Sequence, residues 1–532
     1  MEKKNYTVVI DLGSSNVVVA VATRNEEGTL DVEAIVSKPV EGVNAGRIVN
    51  IEQAGGAIRE AVTELENDFG IRITEAYAGI SGEFVRCACH TDHVFTLDPQ
   101  NGVNQSDVDA LFDRMRNVQA PDDEVIVERI PQLYLLDDHE EVRNPVGSFC
   151  RRLSSTFNFI LCDKTPLQRL DMALRRLGIR TLGIFPNVLA TPEAVLSDEE
   201  KEEGVAVVDI GGGVTDVTVY YRGMVRYAAS IPMGAKAINR DIRSQSIPEK
   251  HVESLKCKYG SAVADLAPED KLIRVSGRTS RESKAILLRN LATVIEARAM
   301  DIVDFVRQEI EDSGCADKLA YGIVLTGGSA RLKDLDELFR RATGMEVRVA
   351  GAETGFNEQA CEQLSDPAYA TAAGLLLRGA CAGPCSVIEN KNRLASRQPE
   401  KSPAAAAPQP QPAPHPTASQ PIPPYTPSRP AASTAPRPPY PQTRPEPQRP
   451  EQPAAPAERP AQPFPPQPGR PVQPVASREE TAPENPQQES AGTEQEFGYP
   501  DPAKKERNWK NIFKKTLEKI NEGFNAADDE EI

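Results

Sequence analysis

The chain of 532 residues holds a single tryptophan, few prolines before residue 400, and no pair of cysteines spaced Cys-x-x-Cys among its nine. Nine scattered cysteines from Cys87 to Cys385 fit a reducing compartment and ordinary packing roles rather than a disulfide framework or a zinc site. No window reaches the ~18 consecutive apolar residues of a membrane-spanning helix, and the stretch MEKKNYTVVIDLGSSN has no long apolar run before a cleavage-like site. A cytoplasmic location is therefore expected. Positive charge is in deficit, with a net charge of −17, which argues against nucleic acid as a partner, because phosphate backbones need a basic face.

Proline is present but unevenly placed. Residues 1–400 hold 14 and residues 401–532 hold 31, so the composition changes near residue 386 from globular to one that cannot bury a core. Stretches such as AAAAPQPQPAPHP predict disordered, polyproline-rich chain over 386–503, a tether with a root-mean-square span of about 60 Å.

Within the folded part, the run VVDIGGGVTDVTVY (207–220) places Asp209 inside a β-branched strand and follows it with three glycines. YTVVIDLGSSNVVVAVA (6–22) repeats the pattern around Asp11, 198 residues earlier. Each predicts strand, tight turn, strand, and two copies at domain-scale separation predict duplicated halves. AYGIVLTGGSARLKDLDELFRRA (320–342) predicts a short strand, a Gly327-Gly328-Ser329 turn and an amphipathic helix bearing Leu332, Leu335, Leu338 and Phe339, whose N-terminus the turn opens.

Glycine lets backbone N–H groups converge on a phosphate, so two such hairpins can clamp a polyphosphate from opposite sides. A carboxylate removed from water costs several kcal/mol unless it meets a cation or good donors. A hydrated Mg2+ between Asp11 and Asp209 satisfies both, since magnesium favours one or two carboxylates plus phosphate oxygens.

These three elements resemble the actin-like ATPases. Asp11, Gly13, Ser14, Ser15 and Asn16 match the first phosphate hairpin of that superfamily. Asp209, Gly211, Gly212, Gly213, Thr215 and Asp216 match the second, and Gly327, Gly328 and Ser329 match the adenosine turn. GVNAGRIVNIEQA (42–54), ERIPQLYLLDDHEEVRNPVG (128–147) and SGRTSRESKAILLRNLATVIEARAMDIVDFV (276–306) narrow the resemblance to the bacterial FtsA cell-division family, over roughly residues 5–380.

The resemblance implies an α/β, actin-like fold of duplicated ribonuclease-H-like halves. The first half would comprise 1–82 and 164–204, interrupted by a small α/β insert at 83–163, and the second half 205–385. It further implies ATP as ligand, with Gly234 and Lys236 opening a helix beneath the ribose and Glu253 and Lys256 holding the adenosine. Implied partners are FtsZ, bound through the second half, further copies of the chain, and other division proteins. Hydrolytic relatives carry a Gln or Glu that positions water in a segment that here reads FPNVLATPEAVL, where Asn187 or Val188 is the nearest match. General-base catalysis contributes about 10²- to 10⁴-fold, so a slow ATPase at most is expected, with ATP acting mainly in assembly.

Beyond the linker, Lys504–Asn525 places Trp509, Ile512, Phe513, Leu517, Ile520 and Phe524 on one helical stripe. Seven basic residues, among them Lys510, Lys514 and Lys515, face three glutamates over 504–522, a local charge of +4. Such a helix (504–525, before an acidic end at 526–532) suits the interface of an anionic inner membrane. Six large side chains at roughly 1.5 kcal/mol each and about 4 kcal/mol of electrostatics oppose the cost of ordering, which predicts reversible binding for one copy and firm binding for a polymer. The competing class is a metabolite kinase of the same superfamily, which has no use for a proline tether ending in a basic helix. A chaperone-type nucleotidase would need a folding substrate domain after the core, where 386–503 stands instead.

Overall fold

A computed structural model of the chain describes residues 5–276 and 283–389. The Pro-rich stretch from 390, the segment 504–525 and the acidic end lie outside the described residues.

Two sheets share one plan. In the first, Tyr6–Leu12 and Asn16–Arg24 form an antiparallel hairpin, Leu30–Pro39 adds to its outer side, and Glu75–Ile80 and Arg180–Pro186 run parallel on the other. In the second, Val205–Ile210 and Thr215–Tyr221 make the hairpin, Met224–Ile231 the outer strand, and Ile323–Thr326 and Val347–Val349 the parallel pair. Order and direction coincide strand for strand, so the two halves are duplicates of the ribonuclease-H-like, actin-type plan. The parallel pairs require helical crossovers. Ile51–Phe69 supplies one: Asn50 caps it by accepting from the N–H groups of Glu52 and Gln53, Ala54, Ile58, Ala61 and Leu65 form its buried stripe, and Gly70 ends it in the left-handed region at φ 80°.

The insert consists of the strands Val85–Phe95, Glu124–Leu136, Glu140–Val142 and Arg152–Asp163 with the helix Gln105–Arg116. It has a small core of its own around Leu111, Met115, Leu153, Phe157 and Phe159. Although it interrupts the first half in sequence, its sheet joins that of the second, through the pairing of Arg86 with Ala229. Past that point the strands diverge, and side-chain amides take over: Gln132 donates to the carbonyl of Val225 at 2.9 Å and Asn158 to those of Val225 and Arg226 at 3.1 and 2.9 Å. Ion pairs Arg143–Glu202 and Arg222–Glu141 continue the seam, beside a cavity of about 370 Å³ lined by Gln132, Tyr134, Arg143, Arg222 and Met224.

In the second half, helices Ala235–Ser244 and Glu249–Tyr259, the strand pair Leu272–Ser276 and Ser283–Leu287, and the helix Leu288–Asp312 enclose a core of Ile238, Ile242, Val252, Leu255 and Ile295. The helix Ala370–Ala382 then returns to the first half and packs on Asn187–Val195. The composition puts the end of the fold near residue 386, but Val387–Glu389 forms a strand paired with Ile71–Ile73. The reason is local: Val387 and Ile388 follow Pro384 and precede the polar run, and supply just enough apolar chain to extend an edge.

Candidate nucleotide site

The two hairpin turns are built alike. Gly13 N–H donates to the Asn16 carbonyl at 3.0 Å, and Gly211 N–H donates to the Val214 carbonyl at 2.9 Å. They also face each other: a β-carbon on Gly213 would lie 2.7 Å from Ser14 Oγ, and one on Gly212 would collide with the Ser15 side chain. Ser14 Oγ accepts from Gly46 N–H at 3.0 Å, and Lys236 Nζ donates to the Ser14 carbonyl. The turns are therefore in contact across the halves, and glycine is what allows them to approach.

Asp11 and Asp209 sit one residue before the end of equivalent strands. Asp209 Oδ2 accepts from Thr191 Oγ1 at 3.1 Å and Thr371 Oγ1 at 2.6 Å, and Asp11 Oδ1 accepts from Asn187 Nδ2 at 3.1 Å. Burial, and then the charge of Asp209, push the Asp11 carboxyl up to about 7. Burial also raises Asp209, against the two threonine hydroxyls. Asp216, opposite Asp209 in register, is pushed by burial and by Asp209 up to about 7, although Ser230 and Ser81 donate to it. Asn187 Oδ1 is buried without a hydrogen-bond partner. Among the described residues no group of three or more His, Cys, Asp or Glu converges as a metal-ligand set.

Gly327, with φ 83°, presses the third element against Asp209, and Ser329 Oγ donates to the Gly211 carbonyl at 3.0 Å. The expected helix does not begin there. Gly328–Arg331 is one 3-10 turn, and the amphipathic helix Leu335–Thr343 starts only after Asp334, which sits in the left-handed region. Its Leu335, Leu338 and Phe339 are buried as the pattern requires, with Leu332 half-buried before it.

Gly234 caps Ala235–Ser244, whose first donors are taken by the second hairpin: Ala235 N–H to Gly211 at 3.1 Å and Lys236 N–H to Gly212 at 2.7 Å. The Lys236 ammonium, pulled below its ordinary value by burial, reaches the first hairpin. Glu253 and Lys256 pair at 2.9 Å on Glu249–Tyr259, with Lys256 buried and Glu253 largely exposed. Burial would raise Glu253, but Lys256 and Asn239 donate to it and hold it low.

Two residues grouped with the second hairpin serve the fold. Thr215 is fully buried, and its hydroxyl donates to the Met233 carbonyl at 2.9 Å. Asp216 bridges the halves, its oxygens accepting from Ser81 Oγ at 2.9 and 2.7 Å. In FPNVLATPEAVL it is Asn187 that reaches Asp11, whereas Val188 is packed in the core. Thr191, Thr371, Ser81, Ser230 and Asn239 join the site with no local motif to mark them.

A protein-family model described as "Cell division protein FtsA" matches residues 206–374, and one described as "SHS2 domain inserted in FTSA" matches 86–161. The chain is similar to cell division protein FtsA of Pseudomonas aeruginosa, 32% identical over 375 residues covering 70% of this chain and 88% of the relative. It is similar also to that of Neisseria meningitidis, 31% identical, covering 70% and 90%. Among solved structures it is similar to the PilM-PilN type IV pilus biogenesis complex, at 16% identity, 70% of this chain, 98% of that one and a TM-score of 0.48. Given the first of these relatives, and the duplicated halves with an insert where the second family model lies, the chain belongs to the FtsA family of cell division proteins.

Proposed function

We propose that this protein binds ATP between its two hairpins, assembles with copies of itself on the cytoplasmic face of the inner membrane at the division site, and tethers FtsZ there. The carrying observation is the facing pair of hairpins with Asp11 and Asp209 at equivalent places in duplicated halves. Two buried carboxylates that repel one another, beside an orphaned Asn187 oxygen, fit a hydrated Mg2+, which Asp11 and Asp209 would hold through water and which would neutralise phosphate charge. Lys236 adds a cation between the turns, and Glu253 with Lys256 provides the adenosine side.

Because the turns touch, a triphosphate must part them to enter, and parting them moves one half against the other. ATP thus works as a conformational ligand. Asn187 ends in a carboxamide, which takes no proton near neutral pH, so hydrolysis is slow.

Membrane attachment rests on the stripe and charge of 504–525. Among the described residues no helix is long and apolar enough to cross a membrane. The FtsZ tail is proposed to bind the second half, which has a separate core around Ile238 and Ile295. The test is co-sedimentation with anionic liposomes, with and without ATP, of the full chain, a chain ending at residue 503 and Trp509→Glu. Loss of pelleting in both variants is expected. Pelleting that survives both refutes the membrane reading.

A further inference from the structure

We propose that the tip of the insert is a docking surface for the chain's own basic segment 504–525, so that insert and lipid compete for one apolar stripe. The inference rests on reading that segment as an amphipathic helix.

The insert exposes large apolar side chains at one end. Phe95 is 70% exposed, Leu97 76%, Phe149 70% and Val146 43%. Backbone pairing gathers them: Phe95 lies opposite Arg152, Thr96 N–H donates to the Arg151 carbonyl at 3.0 Å, and Val103 N–H donates to Ser148 at 2.8 Å. The small core of the insert is complete without them, and an exposed apolar cluster rimmed by charge marks an interaction site.

The overall charge of the insert selects the occupant. Residues 83–163 carry fifteen acidic against seven basic residues, a net of −8. At the cluster itself Asp98 adjoins Leu97, Arg152 is paired with Asp138 at 2.6 Å, and Arg151 is a further cation close by in the chain. The segment 504–522 carries +4 behind a stripe of Trp509, Ile512, Phe513, Leu517, Ile520 and Phe524, complementary in both charge and polarity. A coil of the length between Glu389 and Lys504 would span about 60 Å, enough to reach the surface of the folded part. Tethering at that length gives an effective concentration on the order of 1 mM, so a sub-millimolar contact suffices to dock about three quarters of the molecules.

Trp509 is the chain's only tryptophan and reports its own environment. The experiment uses the full chain without lipid, compares acrylamide quenching with that of the triple variant Phe95→Asp, Leu97→Asp and Phe149→Asp, and repeats it with Lys510→Glu, Lys514→Glu and Lys515→Glu, which leaves the insert intact. In both variants quenching is expected to rise about fourfold, as the docked fraction of the preceding estimate is released. The insert variant should also bind phosphatidylglycerol vesicles about fourfold more tightly, since competition is gone. Equal quenching in wild type and variants overturns the proposal, and protection that grows with protein concentration overturns the intramolecular occupant in favour of a second copy. If vesicles leave Trp509 emission unchanged in every protein, the membrane reading fails, while a difference between wild type and variants still supports docking.

Discussion

Asn187 Nδ2 donates to Asp11 Oδ1 at 3.1 Å, tying the start of one helix to the strand of the first hairpin and leaving the amide oxygen buried without a partner. Replacing Asn187 by Ala strips Asp11 of this donor while the charge of Asp209 still bears on it. A loss of about 1–3 kcal/mol is expected in urea denaturation of the nucleotide-free protein. Asn187→Asp should cost more, because it adds a carboxylate to a cluster that already repels itself. Unchanged midpoints for both would show that the bond contributes nothing.

The raised carboxyls predict the sign of a pH effect. Burial first, and then Asp209, lifts Asp216 from 3.8 to about 7 in the folded state. Between these values the folded chain keeps a proton that the unfolded chain has released, so this group's contribution to stability is present at low pH and is lost as pH rises towards 7. Asp216→Asn keeps an acceptor for Ser81 and Ser230 and removes the titration. Its melting temperature relative to wild type should increase from about pH 5 to about pH 8 with EDTA present; a constant difference would refute the assignment.

Contact between the turns can be tested by crowding it. Gly212→Ala pushes a methyl group into Ser15, and overpacking of this kind typically costs about 1–3 kcal/mol. The midpoint of urea denaturation of the nucleotide-free protein should fall accordingly in Gly212→Ala, and the added change Ser15→Gly should restore much of it, a non-additivity expected of touching residues. Additive effects would mean that the turns do not meet.

A fourth expectation concerns the helix packing beneath the candidate site. A β-carbon on Gly374 would run into the backbone of Ala190 and Thr191, where the helix Ala370–Ala382 crosses Asn187–Val195. No rotamer relieves a clash with backbone. Gly374→Ala should therefore lower stability by about 2 kcal/mol or more and disturb Thr191 and Thr371, the donors to Asp209, so that ATP affinity falls with it. A thermal melt together with a nucleotide titration measures both.

Much of the geometry of the candidate site is legible in the chain because its parts are local. One aspartate inside a β-branched run followed by glycines is an ordinary hairpin, but two copies in order imply the duplication that the sheets display. What escapes is whatever depends on distant segments meeting. Thr371 reaches Asp209 across 162 residues and Ser81 reaches Asp216 across 135, and a serine or threonine carries no local sign of such a role. The seam between the insert and the second half is hidden for the same reason, since it is carried by amide side chains of Gln132 and Asn158 that could equally face solvent. The start of the amphipathic helix slips to Leu335 because Asp334 adopts a left-handed backbone, which aspartate does more readily than most residues.

The strand Val387–Glu389 lies against Ile71–Ile73 and so fixes where the tail departs. The chain enters and leaves by the same half: Tyr6 bridges to Cys385, and its hydroxyl donates to Glu389 at 3.0 Å. Pulling on the chain beyond Glu389 would therefore strain the short strand pair with Ile71–Ile73 before any other part of the fold, at the edge where Tyr6 also begins its strand.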